Sequence, residues 1–136
     1  MPPRNMAKYD IAILGGDRRT ACMAPIFAEK GYRVLCFRTV SIPCSPPIKA
    51  KLTFTDSLRE ALDAAPVVIG GIPFTKSGAL YCEAESSGAA PGISELQRGI
   101  HKHQKIFAGV IPEDFRRTCE EREISCHDFM LDEPMT

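Results

Sequence analysis

Two short stretches of this chain combine residue types that can hold an anion. The first is Gly15-Gly16-Asp17-Arg18-Arg19, a glycine turn followed by an acid and two guanidinium groups. Positive charges at the start of a helix oppose its dipole, so something negative is expected beside them. Asp17 supplies part of it as a helix cap, and a ligand carboxylate or phosphate on free backbone amides would supply the rest. The second stretch is Pro73-Phe74-Thr75-Lys76-Ser77-Gly78. There the hydroxyls of Thr75 and Ser77 and the cation of Lys76 stand beside a flexible glycine, a set suited to a carboxylate. Both have plainer readings: arginines that face solvent or pair with surface acids, and an ordinary polar turn.

Other groupings offer less. Cys22, Cys36, Cys44, Cys82, Cys119 and Cys126 form no C-x-x-C pair and no Cys/His cluster with zinc spacing, so no metal site is expected and free thiols are. His101 and His103, two apart on an expected helix, face different directions and cannot share a metal ion. His127 and Asp128 adjoin in an extended segment and so project to opposite faces. Cys82, Glu83 and Glu85 lack a neighbouring base in sequence. No catalytic residue is assigned. A dinucleotide fingerprint has its frame here, with Arg38 ending the second strand where a 2′-phosphate would be met. Aligning Gly15 with its first glycine, however, puts Asp17 and Thr20 where the other two belong.

These loops must be positioned by the elements around them. Ile11 to Leu14 is an apolar run ended by two glycines, the pattern of a strand buried on both faces of a parallel sheet. A helix follows to Lys30, capped by Gly31, with Pro25 either kinking it or delaying its regular part to Ala24. Arg33 to Phe37 is the second strand. The prolines at 43, 46 and 47 exclude a helix and mark a loop. Leu52 to Thr55 is a short extended piece, and a helix over Leu58 to Ala65 leads to a third strand, Val67 to Ile69. Between Gly70 and Gly92 the periodicity lapses, which marks a functional or mobile connection. A helix over Ser94 to Gln104, a strand over Lys105 to Ile111, a helix opened by Pro112 and a fifth strand over Ile124 to His127 complete the chain.

Alternating strands and helices imply an α/β fold: a three-layer parallel sheet, flavodoxin-like or Rossmann-like, of about five strands in order 2-1-3-4-5. Ligands of such sheets bind beyond the strand carboxyl ends at the point where the order reverses, here between Gly15 to Arg19 and Gly71 to Gly78. The 136 residues suit a single domain over 1–136. Lysine plus arginine equals aspartate plus glutamate at 17 each, so no overall field draws the chain to nucleic acid or an anionic membrane. With no signal-like amino terminus and no run near the ~20 apolar residues of a membrane span, a cytoplasmic protein is expected.

Ile11 to Arg18 resembles the opening strand and turn of the amino-terminal domain of the dipicolinate synthase A-subunit. Val67 to Phe74 with Gly78 is similar to that family's third strand and proline-containing loop. Lys105 to Val110 resembles its fourth strand, and Asp128 to Glu133 the segment before its domain crossover. The resemblance implies an oxidoreductase of sporulation that makes dipicolinate from a cyclic dihydrodipicolinate-type precursor. It also implies an architecture like the D-2-hydroxyacid dehydrogenases, NAD(P) in the full-length enzyme, and a partner in the dipicolinate synthase B-subunit. This domain would take the dicarboxylate substrate and bind no cofactor itself, its glycine fingerprint lying in a following Rossmann domain beyond Thr136. Gly15, Gly16, Asp17 and Arg18 carry over by direct match, whereas Arg19, Thr75, Lys76 and Ser77 join them by loop position. Two alternatives stand beside this: a nucleotide-binding or regulatory module without catalysis, and an interaction domain meeting a partner subunit through an exposed strand edge or the proline-rich loop; a homo-oligomer is also allowed.

Overall fold

The computed structural model describes residues 8–84 and 88–129. In chain order the elements are β1 (Ile11–Leu14), α1 (Arg18–Ala21), α2 (Met23–Glu29), β2 (Val34–Phe37), α3 (Pro46–Lys49), β3 (Leu52–Thr55) and α4 (Leu58–Ala64). They continue as β4 (Val67–Ile69), β5 (Thr75–Lys76), β6 (Ala79–Leu80), α5 (Ile93–Gly99), β7 (Lys105–Ala108), α6 (Glu113–Glu121) and β8 (Ser125–Asp128). Strands β3-β2-β1-β4-β7-β8 form one parallel sheet, and β5 and β6 pair as an antiparallel hairpin. Every residue of β1 and β2 is buried, as expected of continuous apolar runs covered on both faces.

One core cluster joins the sheet to α4, α5 and α6 through Leu62, Leu96 and Phe115. The other joins Ile11, Ile13, Val34 and Cys36 to Ala24 and Ala28 of α2, with Ile48 of α3 against it. This is the expected three-layer arrangement. The sheet has six strands rather than five, because Leu52–Thr55 pairs in parallel register with β2 over its whole length. The order 2-1-3-4-5 survives within it as β2-β1-β4-β7-β8.

Two local readings are corrected, and of the two offered for Pro25 the later helix start is borne out. Pro46 and Pro47 open α3 instead of excluding a helix, since prolines in the first turn lack only N–H groups that would have no helical partner. The helix after β1 is divided at Cys22, so that Pro25 falls in the first turn of α2, where it is tolerated. α5 ends at Gly99, so neither His101 nor His103 lies on a helix. His101 is exposed, with its backbone N–H donating to Gln104 Oε1 at 2.6 Å and its ring meeting Asp63. Glu85 and the segment from Met130 onward lie outside the described residues.

Candidate functional site

At the carboxyl end of β1 the chain turns through Gly15 and Gly16, both with positive φ (53° and 80°), the region that glycine enters without strain. Gly15 donates its N–H to Phe37 O at 2.8 Å and Gly16 to Tyr81 O at 2.7 Å, while Glu83 N–H donates to Gly16 O at 3.0 Å. The segment after β6 is thereby stitched onto the glycine turn, in a parallel bridge between Gly16 and Cys82. Asp17 caps α1: its Oδ1 accepts from Arg19 N–H at 2.9 Å, and its Oδ2 pairs with Arg19 Nη2 at 2.8 Å.

The Arg19 guanidinium also donates to Ile72 O at 3.4 Å, in the loop that trails β4. The two loops singled out in the sequence therefore meet at the reversal point of the sheet. They pack backbone to backbone as well, because a Cβ on Gly71 would stand 2.6 Å from Gly16 Cα. Hydrogen bonds from Arg19 hold the Asp17 carboxyl below its ordinary range, with burial opposing and the neighbouring positive charge assisting. Arg19 is correspondingly raised, mainly by Asp17 and further by Tyr81 and Glu83. Arg18 is exposed on the same short helix.

The Gly70–Gly92 connection contains order that its lapsed periodicity does not announce. Phe74 is buried edge-on against Phe115, ring centroids 5.1 Å apart, and anchors the loop. The hairpin then runs through Thr75 and Lys76, turns on Ser77 and Gly78 (φ 56° and 81°), and returns through Ala79 and Leu80. Two consecutive positive φ values in a two-residue connection are what a tight hairpin needs. Lys76 Nζ sits 5.9 Å from the Tyr81 ring centroid, and Tyr81 in turn holds Gly16, so Lys76 joins the edge that Arg19 occupies. Ser77 is exposed at the hairpin tip and Thr75 is half-buried.

Tyr81 is a site neighbour that sequence reasoning did not find, and Ile72 and Glu83 take part through backbone groups that it did not single out. The Lys-Ser-Gly turn was the available signal for the hairpin that delivers Tyr81. Arg38 has a φ of 54° and reaches Gly88 O at 3.4 Å; its charge partly offsets the burial that raises the Cys82 thiol. His127 stacks on Phe107, centroids 4.8 Å apart, while Asp128 is buried and accepts from Val110 and Ile111 N–H, so the two serve different surroundings.

The crevice between the loops is small, about 60 Å³, bordered by Arg19, Thr20, Met23, Gly70, Ile72 and Phe129. A larger apolar groove of about 380 Å³ lies beside it, and Met23 and Phe129 line both. Of the basic candidates Arg19 borders the crevice, whereas Arg18 and Lys76, like Thr75 and Ser77, line neither space. The glycine turn does not fit a dinucleotide pyrophosphate, because the Gly15 and Gly16 N–H groups already donate to protein carbonyls and Arg19 N–H to Asp17. Of the amides expected there for an anion, those of Gly15, Gly16 and Arg19 are thus already engaged.

The family model for the N-terminal domain of the dipicolinate synthase A-subunit matches residues 10–130. The chain belongs to that family. Among solved structures, the dipicolinate synthase A chain from Bacillus subtilis is similar at a TM-score of 0.63 and 14% identity, covering 91% of this chain and 41% of that one. A D-isomer specific 2-hydroxyacid dehydrogenase from Xanthobacter autotrophicus Py2, in complex with NADPH and MES, gives 0.57 at 14% identity over 100% of this chain and 42% of that one. D-lactate dehydrogenase with NAD+ from Lactobacillus jensenii gives 0.56 at 15% identity over 96% and 39%. At such identities the likeness is one of fold, and the chain spans about two-fifths of each of these structures. No curated protein sequence matches. The domain thus shares its fold with these dehydrogenases. No described helix is long and apolar enough to cross a membrane.

Proposed function

We propose that this domain binds the dicarboxylate substrate of a dipicolinate synthase-like oxidoreductase, which forms dipicolinate from a cyclic dihydrodipicolinate-type precursor in the cytoplasm during sporulation. Membership of the dipicolinate synthase N-terminal family supports the reading. The observation that carries it is the reach of Arg19 from the glycine turn to Ile72 in the loop after β4, which brings a guanidinium to the point where the two loops meet. A guanidinium presents paired donors to a carboxylate, and Lys76 adds a mobile point charge. One carboxylate would lie against Arg18 and Arg19, the other toward Lys76 and the hydroxyls of Thr75 and Ser77. Gly15 and Gly16 serve by letting the loops approach.

Asp17 limits the charge available for this. It already pairs with Arg19, so the larger share of any anion affinity falls to Arg18 and Lys76, both exposed. Since neither lines the crevice or the groove, the far side of the ligand is left to the remainder of the enzyme. NAD(P), where the whole enzyme binds it, supplies the hydride acceptor; the engaged amides of this glycine turn make no place for it. The B-subunit is the expected macromolecular partner.

Calorimetric titration with dipicolinate tests the proposal. The parent chain is expected to bind, with Arg18→Ala and Lys76→Ala each weaker by about tenfold or more, as for the loss of a charge-assisted hydrogen bond. Equal binding by the parent and Arg18→Ala removes Arg18 from the site. Saturable NADP binding that disappears in Arg38→Ala favours a nucleotide-binding module instead.

A further inference from the structure

α6 lays its buried residues, Phe115 and Cys119, on the sheet, and Ile124 N–H donates to Cys119 O at 2.8 Å across the turn that leads into β8. Side chains alternate along a strand, so Ile124, Cys126 and Asp128 face one side of β8 while Ser125 and His127 face the other. Ile124 belongs to the core cluster that contains Cys119, and Cys126 is packed against it. His127 instead stacks on Phe107, which lines the apolar groove. Cys126 therefore points from the sheet toward the last turn of α6. There the two thiols hydrogen-bond, and that contact, ahead of burial, holds the Cys119 proton on its sulfur well above the ordinary thiol range.

All six cysteines are free thiols. The members of this pair differ in access: Cys119 is 0% exposed, whereas Cys126 is half-buried, so a dissolved oxidant meets Cys126 first. Cys36 has Thr39 as a side-chain partner and Cys82 has the charge of Arg38 beside it, neither of them a second sulfur.

We propose that Cys119 and Cys126 are a redox pair which a hydroperoxide oxidises to a disulfide, stapling β8 to the helix that covers it. In the first step the Cys126 sulfur attacks the hydroperoxide. The O–O bond breaks, an S–O bond forms, and water or an alcohol leaves behind a sulfenic acid. Cys119 then attacks the sulfenic sulfur. The S–S bond forms as the S–O bond breaks, and the departing hydroxyl takes the Cys119 proton as water. The two thiols lose two electrons between them, and the hydroperoxide gains both. Because the hydrogen bond already brings the sulfurs together and Ile124 already ties down the turn, closing the bond asks little of the backbone. β8 ends the sheet with β7 as its strand partner among the described residues, so the staple secures an edge that one ladder holds. The pair uses none of the residues assigned to the dicarboxylate, and its test is separate from that reading.

Stoichiometric hydrogen peroxide, followed by unfolding in an alkylating reagent and peptide mapping, tests this on the 136-residue chain. Trypsin cuts after Arg117 and Arg122, which puts Cys119 in 118–122 and Cys126 in 123–136. The expected product is these two peptides joined, about 2 Da lighter than their sum, with Cys22, Cys36, Cys44 and Cys82 alkylated. The joined chain should melt about 4 °C or more above the reduced one, as closing a short loop in the unfolded chain predicts. Dithiothreitol should return both the mass and the melting temperature. In Cys119→Ala the accessible sulfur loses its partner, so sulfenic acid should accumulate at Cys126 and be trapped by dimedone. Cys126→Ser should leave Cys119 unoxidised under the same treatment. Far-UV circular dichroism checks that both variants are folded. Cys126 linked to a different cysteine, Cys119 and Cys126 both alkylated after peroxide, or a joined chain that melts no higher than the reduced one overturns the proposal.

Discussion

Gly71 lies directly over Gly16, so close that a methyl group at position 71 would come within 2.6 Å of the Gly16 Cα and 3.2 Å of the Thr20 hydroxyl. The first of these neighbours is backbone and cannot rotate aside. Gly71→Ala must therefore part the loop after β1 from the loop after β4, and overpacking of this kind costs about 1–3 kcal/mol. The expected result is a lower midpoint in chemical denaturation, together with weakened dipicolinate binding, because the Arg19 contact to Ile72 spans the same gap. Gly78→Ala, where a Cβ meets nothing within 4 Å but φ is 81°, should lose stability through backbone strain while leaving the two loops together.

Asp17 permits a pH test. Its carboxyl titrates below the ordinary 3.8 because Arg19 donates to its charged form, and Asp10 is likewise lowered, first by the side chain and then by the backbone of Arg33. With the folded value below the unfolded one, the unfolded chain binds more protons in the interval between them. Stability from these pairs is complete above the ordinary carboxylate value and is lost as pH falls through the folded value. Melting temperature measured from neutral to acid pH should fall less steeply in Asp17→Asn and Asp10→Asn than in the parent. Asp17→Ala also loses the helix cap, at about 1 kcal/mol, even at neutral pH. An acid limb unchanged in both asparagine variants would contradict this assignment.

The parts of the fold that could be read in the sequence are those with local causes. β1, β2 and β4 are apolar runs, β1 and β4 each ended by two glycines, and Asp17 before Arg18–Ala21 is a cap recognisable by residue type. The meeting of the glycine turn with the loop after β4 followed from the strand order, a topological rule rather than a local signal. What escaped reading depends on distant backbone. Nothing in the side chains of Tyr81 or Glu83 announces that their backbone groups will hold Gly16. The Ser77-Gly78 turn hid because serine seldom takes positive φ. β3 was underrated although Leu52 and Phe54 alternate with threonines, the period of a strand.

Gln104 ties three segments through one buried amide. Its Nε2 donates to Leu62 O and Ala65 O at 2.8 and 3.0 Å, and its Oε1 accepts from His101 N–H. The carbonyls of Leu62 and Ala65 are at or near the end of α4, where the helix leaves acceptors without intrahelical partners. Gln104→Met keeps the volume but abandons those groups, each at about 1–3 kcal/mol. Equilibrium urea unfolding should register a loss of about 2 kcal/mol or more, with Gln104→Glu also destabilised because a carboxylate cannot donate.

Asp128 ends β8 with a side chain only 2% exposed, and its two oxygens accept from Val110 N–H at 3.0 Å and Ile111 N–H at 2.7 Å. Val110 takes a positive φ of 52°, a conformation a β-branched residue holds only when its surroundings impose it. The carboxylate is thus the clamp that turns the chain from β7 toward α6. Asp128→Ala removes both acceptors and leaves two amide donors without them, at about 1–3 kcal/mol each. Asp128→Asn keeps one acceptor and should fall between that variant and the parent. Amide hydrogen exchange should accelerate at Val110 and Ile111 in Asp128→Ala while residues of β1 keep their protection. Equal acceleration throughout the sheet would mean that Asp128 supports the whole fold rather than this one turn.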